Sequence, residues 1–571
     1  MEADMEILKG IAGSEGYGAG NAVIISNEMP VYEDRKITDI EAEKNRLKKA
    51  FDEFLKKTED MVERMRDSVG ESNTAILEGH IMMLQDPYMQ EEIMNRIDGG
   101  ICAETAVKEA CDTFIQIFSQ ADDELIQQRA TDVGDIKLRL LKLLTGADDI
   151  SIGDAPKGTI LVAEDLTPSM TAGIVKENVA GIITQMGGIT SHSAILSRAL
   201  EIPAVLSVKD IMKKVKSGMK IAIDGTAGTV VLNADDNTAA EYENKRNEHL
   251  KNKEALKEFI GKRTKTADGI TVELYGNIGK PQDARKVLEC DGEGVGLFRT
   301  EFLFMDSDSL PDEEKQFEAY KSAAEAMEGR EVIIRTLDIG GDKEIPYMGL
   351  VKEDNPFLGY RAVRYCLDHR DIYSTQLRAI LRASAYGNIK IMVPLVTCVE
   401  EIRAVKELIK EIKEQLDKSA IPYDKNIETG VMIETPSAAE TADLLARESD
   451  FFSIGTNDLT QYTMAVDRGN AKVSYLYSVY QPAVIRSLKR IIGEAKKAGI
   501  KVGMCGEAAA DILLTPLLIS FGLDEYSVSP VSILRTRKNI GSWTKEEADR
   551  VAERVLLMDN AEDIENYLKN Y

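Results

Sequence analysis

Three observations predict a multidomain α/β protein, in which an α/β domain interrupted by an all-helical insert precedes a C-terminal (β/α)8 TIM barrel. The chain of 571 residues is too long for a single core and sized for three or four units of about 100–300 residues. Between about residues 30 and 146, apolar residues recur at spacings of three and four, the period of amphipathic helices. From residue 270 onward, an apolar run that ends in polar residues and leads into a helical segment recurs eight times, the alternation of a barrel whose chemistry sits at the C-terminal ends of its strands.

Residues 1–30 are rich in Gly and Ala and hold two apolar runs, read as strands of a domain completed by residues 147–235. Residues 31–146 form the helical insert, with helices expected over Ile40–Arg66 and Thr74–Leu84 and breaks at Gly70, Asp86-Pro87, Gly99-Gly100 and Gly146. Strands are expected at Thr159–Ala163, Ala180–Thr184, Ala204–Ser207, Ile221–Asp224 and Gly228–Leu232, with helices at Met170–Lys176 and Ser193–Leu200. Residues 236–265 read as a helical linker, since Thr238–Lys265 is highly charged with few large apolar residues, and a hinge is expected there. Residues 266–571 hold the barrel, with runs at Val272–Gly279, Gly294–Thr300, Val332–Asp338, Ile389–Pro394, Gly430–Thr435, Phe451–Asn457, Val502–Gly506 and Glu525–Pro530. The third-to-fourth connection is long and is expected to carry its own helix, Phe357–Cys366.

A net charge of −26 argues against nucleic-acid binding and for basic protein partners or plain solubility. The six cysteines show no disulfide or zinc spacing and, with 21 methionines, fit a reducing cytosol. Residues 1–25 lack a signal-peptide pattern, and no apolar run reaches the roughly 18–20 residues that span a bilayer, so a cytoplasmic protein without membrane insertion is expected.

The chain has four histidines, at 80, 192, 249 and 369. His192 alone follows a strand-like run (Ala180–Thr184), paired glycines (Gly187-Gly188) and two hydroxyl residues (Thr190-Ser191), and it opens a helix-like segment. An imidazole there is exposed, and the free N–H groups of a helix start favour an anion placed on it, the setting a phosphoryl-carrying histidine needs. Taken alone, the stretch reads equally well as a histidine at a capped turn. His80 lies in an apolar helical stretch and reads as core, whereas His249 and His369 sit in charged segments and read as solvated.

The barrel runs end in chemistry: Arg299-Thr300-Glu301, Arg335 through Lys343, Glu434-Thr435-Pro436, Thr456-Asn457-Asp458 and Cys505-Gly506-Glu507, with Arg468 close behind. Arginine forks match phosphate and carboxylate oxygens, and two carboxylates with room for water and substrate oxygens suit Mg²⁺. Singly, each has a bland reading as a surface ion pair, a helix cap or a small buried thiol. Gathered at one mouth, they point to a small, multiply anionic phosphorylated acid.

These residues resemble a known family. Gly187-Gly188-Ile189-Thr190-Ser191-His192, Leu297 through Phe304, Arg335 through Lys343, Gly455 through Tyr462 and Gly503-Met504-Cys505-Gly506-Glu507 are similar to Enzyme I of the bacterial phosphoenolpyruvate:sugar phosphotransferase system, nearly end to end. The resemblance implies that His192 accepts the phosphoryl group on Nε2 and passes it to a histidine of the phosphocarrier HPr. Arg299, Arg335, Arg468 and Asn457, with Asp458, would bind phosphoenolpyruvate; Glu434 and Asp458 would hold Mg²⁺; Cys505 would donate a proton. It also implies that the insert docks HPr and that the barrel forms a homodimer. Glu15, Ile189 and the segment Tyr477–Pro482 depart from the family pattern, which bears on rate rather than on reaction type. A phosphoenolpyruvate-using dikinase or synthase would need a nucleotide-binding domain, for which no Gly-rich loop or spare length is found. A non-catalytic phosphohistidine adapter would have no use for Cys505.

Overall fold

A computed structural model describes the chain except residues 1–4, 26–28, 70–74, 121–123, 148–154, 167–169, 171–173, 189–190, 306, 308, 341–344, 351–352, 469 and 471. The expected helix Met170–Lys176, the break at Gly70, Ile189-Thr190 and the Gly341–Lys343 end of the third barrel run lie wholly or partly outside the described residues. The chain divides into two compact units, Met1–Lys253 and Glu254–Tyr571.

The first unit holds an eight-stranded mixed sheet ordered β1-β8-β7-β3-β4-β5-β6-β2, with β1 Glu6–Lys9, β2 Ile11–Ser14, β3 Tyr17–Ile25, β4 Thr159–Ala163, β5 Val179–Thr184, β6 Ala204–Leu206, β7 Lys220–Asp224 and β8 Thr229–Leu232. All five expected strands between 159 and 232 are present. The N-terminal stretch gives three strands rather than two. β1 and β2, separated only by Gly10, pair with opposite edges of the sheet, β8 and β6, so the sheet curls and the N-terminal chain crosses from edge to edge. Strands β3 to β6 run parallel, and their fully buried residues (Ile160, Val162, Ile182, Ile183) are the near-continuous apolar runs expected of strands covered on both faces.

The insert is helical: α1 Ile40–Val69, α2 Ala75–Gln85, α3 Pro87–Asp98, α4 Ala103–Ser119 and α5 Glu124–Thr145. Leu47, Ala50, Phe51 and Phe54 on α1 and Val133, Ile136 and Leu140 on α5 keep the three/four spacing and meet in a separate core. Asp86 caps α3 by accepting the Tyr88 N–H, with Pro87 at the first helical position. His80 is fully buried on α2, its ring nitrogens facing Asp132 (3.5 Å) and Asp135 (3.7 Å), in keeping with a core position. The strand-turn-helix expected around His192 is also present, with α6 at His192–Leu200.

The charged linker is a helix, Asp236–Leu256, but it is tied down along most of its length. Asp236 pairs with Lys220, Tyr242 is buried and meets Tyr17 edge-on, and Lys253 pairs with Glu201. His249 also lies edge-on against Tyr17 and is half-buried, not solvated.

The second unit is a closed barrel of eight parallel strands, β9 Glu273–Ile278, β10 Val295–Arg299, β11 Val332–Arg335, β12 Ile389–Val393, β13 Thr429–Ile433, β14 Phe451–Ile454, β15 Lys501–Met504 and β16 Glu525–Val528. Every expected run is a strand. Side chains alternate across each strand. Phe298, Ile334, Ile391, Val431 and Ile433 pack outward into the large helix-covered core, whereas Leu297, Ile333, Met392 and Met432 form a distinct cluster with Cys505. The expected helix Phe357–Cys366 is formed only at its C-terminal end, as part of Val363–Asp368. A single 3₁₀ turn, Pro356–Leu358, and this short α-helix stand in its place. The Tyr360 N–H is spent on the Glu353 carboxylate (2.9 Å) and Ala362 takes a left-handed φ of 52°, so no continuous ladder can run through. His369, just beyond, is stacked on Tyr365 with ring centroids 4.0 Å apart rather than solvated.

Candidate active site

Two sets of residues carry chemistry, one in each unit. In the first unit, β5 ends at Thr184 and the chain turns through Gly187, whose φ of +97° calls for glycine. Ser191 caps α6, its hydroxyl accepting the Ala194 N–H at 3.3 Å, which makes His192 the first helical residue. The turn is anchored from behind: buried Ser193 donates to Asp165 Oδ1 at 2.6 Å, and the same carboxylate accepts the Leu166 N–H at 2.8 Å. His192 is therefore the first residue of a helix, and the first turn of a helix presents N–H groups that lack intrahelical partners.

In the second unit, strand period explains the mouth. Arg299, Arg335 and Glu434 each lie two positions past an inward apolar residue (Leu297, Ile333, Met432), so their side chains emerge one layer above that floor. Arg299 and Arg335 are direct partners in the β10–β11 register, so their side chains leave neighbouring positions on adjoining strands. Arg335 is buried and held by Glu301 Oε1 at 2.6 Å and Asp338 Oδ2 at 2.9 Å. Arg299 is half-buried and has no ion pair among the described residues. From Asp338 an alternating chain of charges crosses the mouth: Asp338 Oδ1 to Arg361 (2.6 Å), Arg361 to Asp458 Oδ2 (3.5 Å), and Asp458 Oδ1 to Arg468 (3.5 Å). Asn457, beside Asp458, accepts the Glu507 N–H at 3.3 Å, and its amide N–H₂ donates to nothing among the described residues.

Glu434 is 3 % exposed, and Oε1 accepts the N–H of Leu395 at 2.7 Å, a residue whose φ of 55° turns that N–H inward. Burial, reinforced by Asp458 and Asp338 and opposed by Arg335 and Arg361, pushes its carboxyl up to about 8. A buried carboxylate under that strain, next to a second carboxylate, is one that a divalent cation would relieve. Among the described residues no three His, Cys, Asp or Glu side chains cluster for a metal, so the two carboxylates would complete a coordination sphere with water and substrate oxygens. Cys505 follows the last residue of β15 and is 2 % exposed, and burial pushes its thiol up to about 11 against the pull of Ser453 and Arg335. It carries its proton at neutral pH.

Arg335, Glu434, Asn457, Asp458, Arg468 and Cys505, with Arg299 in register, thus gather at one end of the barrel, whereas His192 lies in the other unit. Sequence reasoning missed Arg361, which is 6 % exposed and central to the charge chain. It was hidden in the supposed helix, where Pro356 and Gly359 were the signal for a break. Gly340 makes room for it: a Cβ there would stand 2.3 Å from the Arg361 Cβ.

Comparison with known proteins decides the family. Residues 253–544 match the family model for the PEP-binding domain of PEP-utilising enzymes, residues 9–129 the N-terminal domain, and residues 155–228 the mobile domain. The phosphoenolpyruvate-protein phosphotransferase of Bacillus subtilis is 44 % identical over 570 residues, covering 99 % of each chain. Those of Priestia megaterium (43 % over 564 residues, 99 % of this chain and 98 % of the relative) and Staphylococcus carnosus (42 % over 565 residues, 99 % of each) are similar throughout. The chain belongs to the phosphoenolpyruvate-protein phosphotransferase family. The match of the family's PEP-binding domain falls on the barrel, and that of its mobile domain spans His192.

Proposed function

We infer that this chain transfers the phosphoryl group of phosphoenolpyruvate to its own His192 and then to a histidine of the phosphocarrier HPr, releasing pyruvate, as the first step of the sugar phosphotransferase system. The observation that carries the site assignment is the mouth itself. Arg299 and Arg335 end neighbouring strands, one of them without a counter-ion among the described residues, and Arg335 neighbours both a protonated thiol and the buried Glu434.

In this reading Arg299, Arg335, Arg361 and Arg468 bind the phosphate and carboxylate oxygens, and the Asn457 amide orients the substrate. The imidazole of His192 attacks phosphorus in line, a P–N bond forms, and the bond from phosphorus to the enolate oxygen breaks. The arginines hold the charge on the departing enolate, whose carbon takes the Cys505 proton to give pyruvate. Glu434 and Asp458 would hold Mg²⁺, which when bound supplies charge neutralisation at the phosphoryl oxygens.

The site residues imply a division of labour. Residues 1–30 and 147–235 form the phosphohistidine domain, 31–146 the HPr-binding insert, 236–265 the linker and 266–571 the substrate-binding and dimerisation barrel. The insert would dock HPr, and the barrel would form the homodimer. Six free cysteines support a cytoplasmic location.

Chelation tests the metal assignment. Protein stripped with a chelator is expected to lose turnover and to recover it with added Mg²⁺. Glu434→Gln should raise the Mg²⁺ concentration for half-maximal activity about ten-fold or more while leaving the KM for HPr unchanged. An unaltered Mg²⁺ requirement in that variant would remove Glu434 from the metal site.

A further inference from the structure

Behind the two arginines of the mouth lies a buried polar network. Gln376, on the helix Arg370–Ala383 that packs outside the barrel, is 1 % exposed. Its amide is fully committed. Oε1 accepts the Leu337 N–H at 2.9 Å, and Nε2 donates to the Thr300 hydroxyl and to the Tyr320 hydroxyl, each at 3.2 Å. A backbone N–H can only donate, so the amide orientation follows from the network itself. Thr300 donates its own hydroxyl hydrogen bond to the Arg335 carbonyl at 2.8 Å, and Tyr320 donates to Gln316 Oε1 at 3.1 Å, which anchors the far end. Thr300 and Tyr320 are fully buried and Gln316 nearly so, so no water competes for these bonds.

The connectivity matters because of where it attaches. Thr300 follows Arg299, Leu337 lies two residues past Arg335, and the Thr300 hydroxyl grips the Arg335 carbonyl itself. One glutamine thus ties together the ends of β10 and β11, the two strands whose last residues, Arg299 and Arg335, are register partners. We propose that Gln376 is a positioning residue for phosphoenolpyruvate binding: acting through Thr300, it locks the register of Arg299 and Arg335 so that the two guanidiniums converge on one anion. This rests on the reading that those arginines hold the substrate. Gln376 touches neither guanidinium, so its effect passes through the backbone.

Steady-state kinetics on the full chain with phosphoenolpyruvate, Mg²⁺ and HPr separates this role from simple stability. Gln376→Met keeps the volume and removes the amide. It should raise the KM for phosphoenolpyruvate about ten-fold with kcat changed less than about three-fold, because the anion site loosens while the nucleophile and thiol stay in place. Thr300→Val, which removes one hydroxyl at constant shape, should shift KM in the same direction even if Gln376→Met fails to fold, and Thr300→Ser should restore it. Lower apparent kcat at unchanged KM, the signature of less folded enzyme, would overturn the proposal, as would a Thr300→Val variant with wild-type KM. Arg299→Ala and Arg335→Ala in the same assay distinguish the two failures. If they raise KM and the network variants do not, only the positioning role falls. If they too leave KM unchanged, the arginine assignment falls with it.

Discussion

At the scale of single residues, burial assigns duties to groups whose chemistry is otherwise ambiguous. Cys505 is sealed at the end of β15 with its thiol pushed up to about 11, so it is an acid waiting for a base rather than a nucleophile. Cys505→Ala is therefore expected to uncouple the two halves of the first reaction. Single-turnover labelling of His192 should stay within about ten-fold of wild type, while the enzyme-catalysed formation of pyruvate falls by about 100-fold, the usual worth of a positioned proton donor. Rapid-quench measurement of phosphorylated protein alongside pyruvate checks this, and equal losses in both would contradict the role. Arg335 shows the complementary case, a cation that tolerates burial because Glu301 and Asp338 hold it from two sides.

At the scale of elements, the barrel was legible in sequence because period-2 alternation and the polar strand ends reinforce each other. Leu297 two residues before Arg299, Ile333 before Arg335 and Met432 before Glu434 mark both the floor and the mouth. The edge-to-edge crossing of β1 and β2 was not legible, since it depends on pairings between residues about 200 positions apart. Arg361 was obscured by an apolar pattern that looked helical, although the tertiary demand of Glu353 on the Tyr360 N–H breaks it. Gln376 carried no signal at all, because a buried amide on a helix looks like any polar surface residue until its partners are known. The opposite end of the barrel offers a pH test. Glu525 on β16 is 2 % exposed. Burial, opposed by Lys501 and Lys390 and reinforced by Glu331 and Glu273, pushes its carboxyl up to about 8 from an ordinary 4.5. Between those two values the folded state holds a proton that the unfolded state has lost. Stability must therefore decline as pH rises through that window, by at most about 1.4 kcal/mol per pH unit from this group, and level off above it. Glu525→Gln, which mimics the protonated form, should flatten the decline. Urea unfolding of both proteins from about pH 5 to about pH 8.5 checks it, and parallel slopes would contradict the assignment.

At the scale of the molecule, the acceptor and the donor site belong to different compact units, His192 within Met1–Lys253 and the arginines within Glu254–Tyr571. The function proposed above, in which one imidazole serves both phosphoenolpyruvate and a partner protein, would entail movement of the phosphohistidine domain. The linker helix is fastened to its own unit by Asp236, Tyr242 and Lys253, and the 3₁₀ turn beyond it is fastened to the barrel, where Arg537 donates to the Phe259 carbonyl and the Gly261 N–H donates to Asp291, so the expected hinge would be confined to the few residues between Lys253 and Lys257. His192 is then a relay between two sites. The most direct measurement is to incubate the protein with phosphoenolpyruvate labelled in its phosphoryl group and Mg²⁺, locate the label, and then add HPr. The account predicts acid-labile phosphate on His192, absent from His192→Ala and discharged to HPr. Label on another residue, or none on the protein, would contradict it.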